Sequence, residues 1–419
     1  MGAMAEKDAP RWGLRPLMIV QAGGQGSRMD VLTRERAKPA LPFAGNHRLI
    51  DFPLSTAAGA GFSEVWVSDQ YQSSSMDDYL AGGRPWDLDR NHGGFRRMSP
   101  QEGGGGSQIE GFAGGNAEDL FSLLDQIGVL DPDLLIVTSA DSIYSFDLAG
   151  AMARHLASGA GCTVLTSHVG RSEAKQKMVV EVEKGREEGR VTSVAYKPSK
   201  ASTGTVATEV FLYDPAVLKR TFARLVAKQA ASAETELGDF GDQLLPELVR
   251  RKQVRAEPMT GYWKDVGRPQ AYLQAHRDLL AGRVDVFSHP SRPILAPVTG
   301  GPAGLVSGNG SVENSMIGLG SVVRGRVVRS VLGPGVTVQA GALVQDSVLF
   351  GDTLVEAGAQ VHTSIVDTGV TIGRKARVGQ EPSGTRLSDD QICMIGKDST
   401  IGRGAELSTG TRMEPGSTA

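Results

Sequence analysis

Apolar and polar positions follow two different textures along this chain. Over the first two thirds, short apolar runs alternate with stretches of helical spacing. Leu14 to Ala22 reads as a buried strand running into a glycine-rich turn, and Glu64–Ser68, Leu134–Thr138 and Thr163–Thr166 read as further strands. Apolar residues recur at helical spacing in Ala117–Ile127, Leu148–Ala157 and the stretch from Tyr262 to Leu280. Strands alternating with helices predict an α/β domain with a Rossmann-like, mostly parallel sheet over residues 14–285. Ligands of such sheets lie beyond the carboxyl ends of the strands. The glycine-rich turn and the polar end of a later strand, Thr138-Ser139-Ala140-Asp141, both fall there.

Pro290, Pro293, Pro297 and Pro302 mark a linker over residues 286–304. Beyond residue 305 the texture changes. Ser315, Ser330, Ser347 and Ser364 each lead a short apolar pair at intervals of 15 to 17 residues, with a finer recurrence near six. This period predicts a parallel β-helix over residues 305–410, with each apolar pair feeding one face and glycine at the corners. A glycine-rich antiparallel β domain is the alternative.

The chain has 419 residues, more than one hydrophobic core sustains. Its net charge of -3 excludes a surface built to coat nucleic acid, so any phosphate site must be local. Cys162 and Cys393 form neither a disulfide framework nor a CxxC metal pattern, which fits a reducing compartment. No apolar run is long enough to cross a bilayer. The first residues lack the apolar core of a signal peptide, and Glu6 stands where a myristoylation signal wants Ser or Thr. These features predict a cytoplasmic protein with no nucleic-acid or membrane partner and a loose tail before Leu14.

The candidate chemistry starts at Ala22-Gly23-Gly24-Gln25-Gly26-Ser27-Arg28. Glycine lets backbone N–H groups turn inward onto a phosphate. Arg28, and Lys38 shortly after it, add cations, so the segment reads as a triphosphate cradle. It lacks the GK[ST] ending of a Walker loop and does not match GxGxxG. Its plain alternative is a glycine-rich βα turn with a solvated arginine. Asp141, after an apolar strand, is a candidate ligand for Mg²⁺, which favours oxygen donors; otherwise it caps the following turn. Asp265, in Tyr262-Trp263-Lys264-Asp265-Val266-Gly267, is a second candidate, or else a helix N-terminal charge. Lys197 is a candidate cation for a sugar phosphate, or an exposed loop lysine.

Read together, these segments resemble the bacterial glucose-1-phosphate adenylyltransferases of the sugar nucleotidyltransferase superfamily. Arg36-Ala37-Lys38-Pro39-Ala40, Arg48-Leu49-Ile50-Asp51-Phe52-Pro53-Leu54-Ser55, Gln70-Tyr71-Gln72, Ala140-Asp141-Ser142-Ile143-Tyr144, Lys197-Pro198, Asp239-Phe240-Gly241 and Tyr262–Gly267 carry the likeness in the family's order. The resemblance implies transfer of a nucleotidyl group from ATP to glucose 1-phosphate, a left-handed β-helix tail, a homotetramer and a small-molecule effector. It implies that Ala22, Gly23, Gly24, Gly26, Gln101 and Gly115 bind nucleotide and that Arg28 and Lys38 hold the triphosphate. Asp141 and Asp265 would bind Mg²⁺, and Lys197 and Glu209 would meet the sugar side.

Several positions depart from the family pattern. Ala140 replaces the usual Gly before the metal Asp, and Tyr196 replaces the usual Glu before Lys197. Ala207-Thr208-Glu209 replaces Ser-Met-Gly, and Glu35 stands where regulated relatives often have a basic residue. The departures gather on the sugar and effector sides. They keep open a different sugar 1-phosphate, or a non-catalytic regulatory subunit or nucleotide sensor. An acyltransferase is a third reading, since hexapeptide β-helices can carry that activity, but His362 stands without a convincing acyl-CoA site.

Overall fold

A computed structural model describes residues 13–90, 93–99, 114–183, 189–230, 237–298, 300–381 and 387–419. Thirteen strands of the N-terminal part matter for the site: β1 (Pro16–Gln21), β2 (Pro42–Phe43), β3 (His47–Arg48), β4 (Glu64–Ser68), β5 (Gly94–Met98), β6 (Leu134–Ser139), β7 (Ser142–Tyr144), β8 (Cys162–His168), β9 (Met178–Val182), β10 (Val191–Tyr196), β11 (Thr205–Tyr213), β12 (Val254–Pro258) and β13 (Trp263–Asp265). The main sheet runs β10-β9-β11-β6-β1-β4-β5, with β8 joining β11 to β12. It is parallel from β6 through β1 and β4 to β5. It is antiparallel where β11 enters beside β6, β8 and β9.

The central strand shows why these residues form a sheet. Leu17, Met18, Ile19 and Val20 are all buried, because helices cover both faces. Ile19 lies level with Trp66 on one side and Val137 on the other. Leu17 and Ile19 face one apolar cluster, Met18 and Val20 another, as a strand's alternation requires.

Two sequence expectations need correction. The stretch 117–127 is not one helix: Asn116–Ser122 and Leu124–Leu130 are separated at Leu123, whose N–H bonds to Leu120 in a tight turn. The helix expected from Tyr262 begins only at Pro269 and runs to Leu280. Proline suits a first helical turn, where its missing N–H costs nothing. Upstream, Trp263–Asp265 pairs antiparallel with β7, with Asp265 opposite Ser142.

The C-terminal part winds into three parallel six-stranded sheets, consistent with a left-handed β-helix. Each turn contributes one inward residue per face. Val323, Val338, Val355, Ile372 and Ile401 stack on one face, and Val327, Val344, Val361 and Val378 on a second. The Ser-led repeat has a direct cause. The backbone N–H groups of Ser330, Ser347 and Ser364 each donate to the hydroxyl of the serine one coil earlier, Ser315, Ser330 and Ser347, at 3.0–3.1 Å. Glycine does not hold every corner: Asn314, Arg329, Asp346 and Thr363, just before Ser315, Ser330, Ser347 and Ser364, take positive φ instead.

The two parts share one apolar cluster. Phe43, Phe52, Tyr272 and Leu273 pack with Val331, Val348, Phe350, Ile365 and Met394 of the β-helix. The segment between them, around Pro293 and Pro297, forms no regular element, and Leu295 exchanges hydrogen bonds with Ser55. Among the described residues no helix is long and apolar enough to cross a membrane.

His276 sits at this junction, fully buried in helix Pro269–Leu280. Its Nδ1 faces the Tyr272 carbonyl at 3.0 Å and its Nε2 faces the Ala44 N–H at 3.4 Å. Only a neutral ring protonated on Nδ1 suits both neighbours. Burial accordingly lowers its pKa to about 4. A pKa lowered by folding gives stability that is present above the unfolded value, about 6.5, and lost as pH falls through the folded one. His276→Gln should therefore lose less thermal stability than the native chain between pH 7 and pH 4.5. Parallel melting curves would remove His276 from the acid response.

Candidate active site

The carboxyl edge of the sheet builds the site. After β1 the chain turns through Ala22, Gly23 and Gly24 to Gly26, which holds a left-handed φ of 67° before Ser27 opens a short 3-10 segment. A Cβ at Gly26 would press on Lys38 and Thr33 at 3.0–3.1 Å, so glycine meets both the conformational and the packing demand. Lys38 follows in a second 3-10 turn, closed by the Ala40 N–H on the Ala37 carbonyl. Proline at 39 fits this geometry.

Asp141 leaves the end of β6, and Asp265 ends β13. The β7–β13 pairing brings the two aspartates from 124 positions apart in the sequence to adjacent places, and the Val266 N–H bonds to the Asp141 carbonyl at 3.2 Å. Each carboxylate holds an amine. Lys38 Nζ donates to Asp141 Oδ2 in a very short contact. Lys177 Nζ donates to Asp265 Oδ2 at 2.8 Å. Ser139 Oγ completes Asp141 at 2.6 Å, and the Gly267 N–H completes Asp265 at 2.8 Å. A Cβ on Gly267 would lie 2.9 Å from Asp265 Oδ1 and 3.0 Å from Lys38 Nζ, so this glycine makes the close approach possible.

The charges tune one another. Burial alone would raise the Asp265 carboxyl, but Lys177 and Lys38 hold it well below the usual carboxylate range. Burial opposes the charge on Lys38, yet Asp141 and Asp265 outweigh it and raise its pKa.

These groups open onto a cleft of about 430 Å³. Its lining includes Gly23, Gly24, Gln25, Arg28, Gln70 and Gly115, together with Lys177, Tyr196, Lys197, Glu209, Asp239 and Trp263. A smaller hollow of about 270 Å³ joins the glycine-rich turn, through Ala22, Gly26 and Arg28, to Lys38 and Asp141. The structure therefore brings Ala22, Gly23, Gly24, Gly26, Arg28, Lys38, Gly115, Asp141, Lys197, Glu209 and Asp265 to one region. Gln101 lies outside the described residues.

Three of these residues carry structural features beyond their sequence reading. Gly115 is needed by packing, because a Cβ there would overlap the Gly238 carbonyl, which accepts the Ala117 N–H at 3.1 Å. Lys197 is exposed at the rim; its Nζ donates to Tyr196 Oη at 2.6 Å, and Tyr196 in turn donates to Asp239. Glu209 sits at a break in the β11–β8 register with a left-handed φ of 60°. Lys177 was not singled out from the sequence. It stands among Lys175, Gln176 and Met178 with no motif around it, and only the fold carries it to Asp265.

Glycine-rich turn, paired aspartates and hexapeptide coil together define a nucleotidyl transferase with a β-helix tail. Residues 17–282 match the family model described as Nucleotidyl transferase, and residues 302–395 match the one described as GlmU-like, C-terminal hexapeptide. The glucose-1-phosphate adenylyltransferase of Halalkalibacterium halodurans is 33% identical over 386 residues, covering 91% of this chain and 95% of the relative. That of Acetivibrio thermocellus is 29% identical over 411 residues, covering 96% and 94%. That of Bacillus thuringiensis strain Al Hakam is 30% identical over 356 residues, covering 84% and 92%. The chain belongs to the nucleotidyl transferase family, among the glucose-1-phosphate adenylyltransferases.

Enzymes of this family generally use a divalent metal. The residues present fit one: two carboxylates converge on one cleft, oxygen donors suit a hard divalent cation, and each already draws a lysine ammonium to itself.

Glu209 adds a pH signature. Burial, then Asp141 and Asp265, raise its carboxyl to about 8. A carboxyl raised by folding gives stability that is full below its unfolded value, about 4.5, and lost as pH rises through the folded one. Without divalent cations, Glu209→Gln should melt above the native chain at pH 9, and the gap should close toward pH 5. A gap independent of pH would contradict this.

Proposed function

We propose that this chain transfers the adenylyl group of ATP to glucose 1-phosphate, giving ADP-glucose and pyrophosphate. The observation that carries the reading is the convergence of Asp141 and Asp265, each with its lysine, beside the glycine-rich turn that lines the same cleft. The substrates are those for which its glucose-1-phosphate adenylyltransferase relatives are named.

The nucleophile is an oxygen of the sugar phosphate, already anionic at neutral pH. It bonds to the α-phosphorus of ATP while the bond from that phosphorus to the bridging oxygen breaks, and pyrophosphate leaves in line. No general base is required. What the protein supplies is positioning of two mutually repelling anions and positive charge on their oxygens. In this reading the backbone amides of Gly23, Gly24 and Gly26, with Arg28 and Lys38, hold the triphosphate. Lys177 and Lys197 flank the sugar phosphate from the opposite wall. Asp141 and Asp265 hold Mg²⁺, which when bound neutralises charge on the phosphate oxygens.

The sugar wall supports a second reading, in which a different sugar 1-phosphate is preferred. Tyr196, tied to Asp239, and Glu209 give this wall a hydrogen-bonding pattern of its own.

Asp141→Asn and Arg28→Ala should each lower turnover by at least about 10²-fold, the scale of losing one aimed electrostatic contact. Pyrophosphate release by the purified variants checks this, and near-normal rates would refute the roles. The same assay on the native chain, run with ATP and a panel of sugar 1-phosphates, should give the highest kcat/KM with glucose 1-phosphate. Silence with every sugar while ATP still binds would favour a sensor.

A further inference from the structure

The short segment that carries Lys38 is fastened to the β-helix by three consecutive ion pairs of alternating sign. Arg34 meets Glu414 at 3.1 Å, Glu35 meets Lys397 at 3.4 Å and Arg36 meets Asp367 at 2.8 Å. The first two pairs are exposed, and such pairs contribute little. The third differs in kind. The Arg36 side chain is 15% exposed and Asp367 only 2%. The Arg36 guanidinium lies 5.6 Å from the centre of the Phe350 ring, and one of its nitrogens, Nη1, is buried without a hydrogen-bond partner.

Burying this pair is a poor way to gain stability. Desolvating both charges offsets much of their attraction, and the unpartnered nitrogen adds to the cost. A buried ion pair does, however, fix position. Asp367 is itself held, since its Oδ1 also accepts the Thr368 N–H at 2.6 Å and its own N–H bonds to the Ile395 carbonyl one coil on, at 2.9 Å. Past Arg36 the chain has little freedom. The Ala37 N–H is taken by Ser75 Oγ at 3.0 Å, Lys38 enters a 3-10 turn, and Pro39 fixes the next φ. Only Ala37 separates the anchored guanidinium from the lysine that reaches Asp141.

We infer that Asp367, on the β-helix, is a positioning residue for the transferase centre: through Arg36 it sets where Lys38 Nζ stands relative to Asp141 and the glycine-rich turn. The β-helix is then part of the catalytic apparatus. This inference rests on the role given to Lys38 under the proposed function.

The test is a double-mutant cycle on pyrophosphate release with the full-length chain, using Asp367→Asn, Lys38→Ala and the pair. Asp367→Asn keeps the shape and removes the charge. Its kcat should fall about 10-fold or more, with a smaller change in KM for the sugar phosphate, and Asp367→Glu should recover part of the loss. Because Asp367 acts through Lys38, the double variant should turn over no more slowly than Lys38→Ala alone. Lys397→Ala, which removes an exposed pair of the same strap, should leave kcat unchanged.

Multiplying losses in the double variant, with Lys38→Ala clearly impaired, would overturn the coupling and leave the site reading intact. Ordinary turnover in Lys38→Ala would overturn the site reading and the coupling with it. Should Asp367→Asn fail to fold, Arg36→Lys probes the same link from the other side, since an ammonium keeps the charge but loses the planar fork. The same cycle then applies, and a folded Arg36→Lys chain with native kcat would overturn the inference.

Discussion

Two acidic side chains from distant parts of the sequence are made neighbours by three residues of backbone pairing. The β7–β13 ladder sets Asp265 opposite Ser142, one residue beyond Asp141. Neighbouring carboxylates repel, and positive charge beside them offsets that repulsion. Lys38 and Lys177 provide it, one for each aspartate. The glycines of the site follow from the same crowding. Gly267 leaves room for Asp265 and Lys38 to approach, and Gly26 leaves room for the Lys38 stem. A centre that gathers cations around two anions suits a reaction whose difficulty is bringing phosphates together.

That centre is not the property of one domain. Its lysine sits on a strap fixed to the β-helix, and helix Pro269–Leu280, which follows Asp265, also docks there: Arg277 Nε meets Asp346 Oδ1 at 2.8 Å. Tyr272 of the same helix meets Phe350 edge-on at 6.3 Å between centroids. Two of the chain segments that build the site are therefore held against the coil. A helix and a strap pinned to a stacked β-helix, whose strands repeat one register, have few alternative placements.

Much of this was legible in the sequence. Apolar runs located β1, β4, β6 and β8 to within one or two residues, because strands buried on both faces leave an uninterrupted apolar signature. The Ser-led period found the β-helix because each serine hydroxyl serves the next coil. Asp141 and Asp265 were legible through local context and family likeness. What escaped depends on tertiary placement. Lys177 has no local signature; β9 simply begins beside it and carries it to the wall of the cleft. The left-handed Glu209 reflects a break in sheet register that spacing does not reveal. The apolar cluster uniting both parts draws single residues from many elements, so no window of sequence displays it. The strand at Trp263–Asp265 was read as helix because three residues are too few to show a period of two.

The central claim is that Asp141 and Asp265 act on a single shared divalent ion. Isothermal titration of Mn²⁺, a spectroscopically and calorimetrically convenient stand-in, into the native chain with ATP should give one site. Asp141→Asn and Asp265→Asn should each weaken that site severely, and combining them should add little further loss. Two independent sites, each abolished by only one substitution, would contradict it.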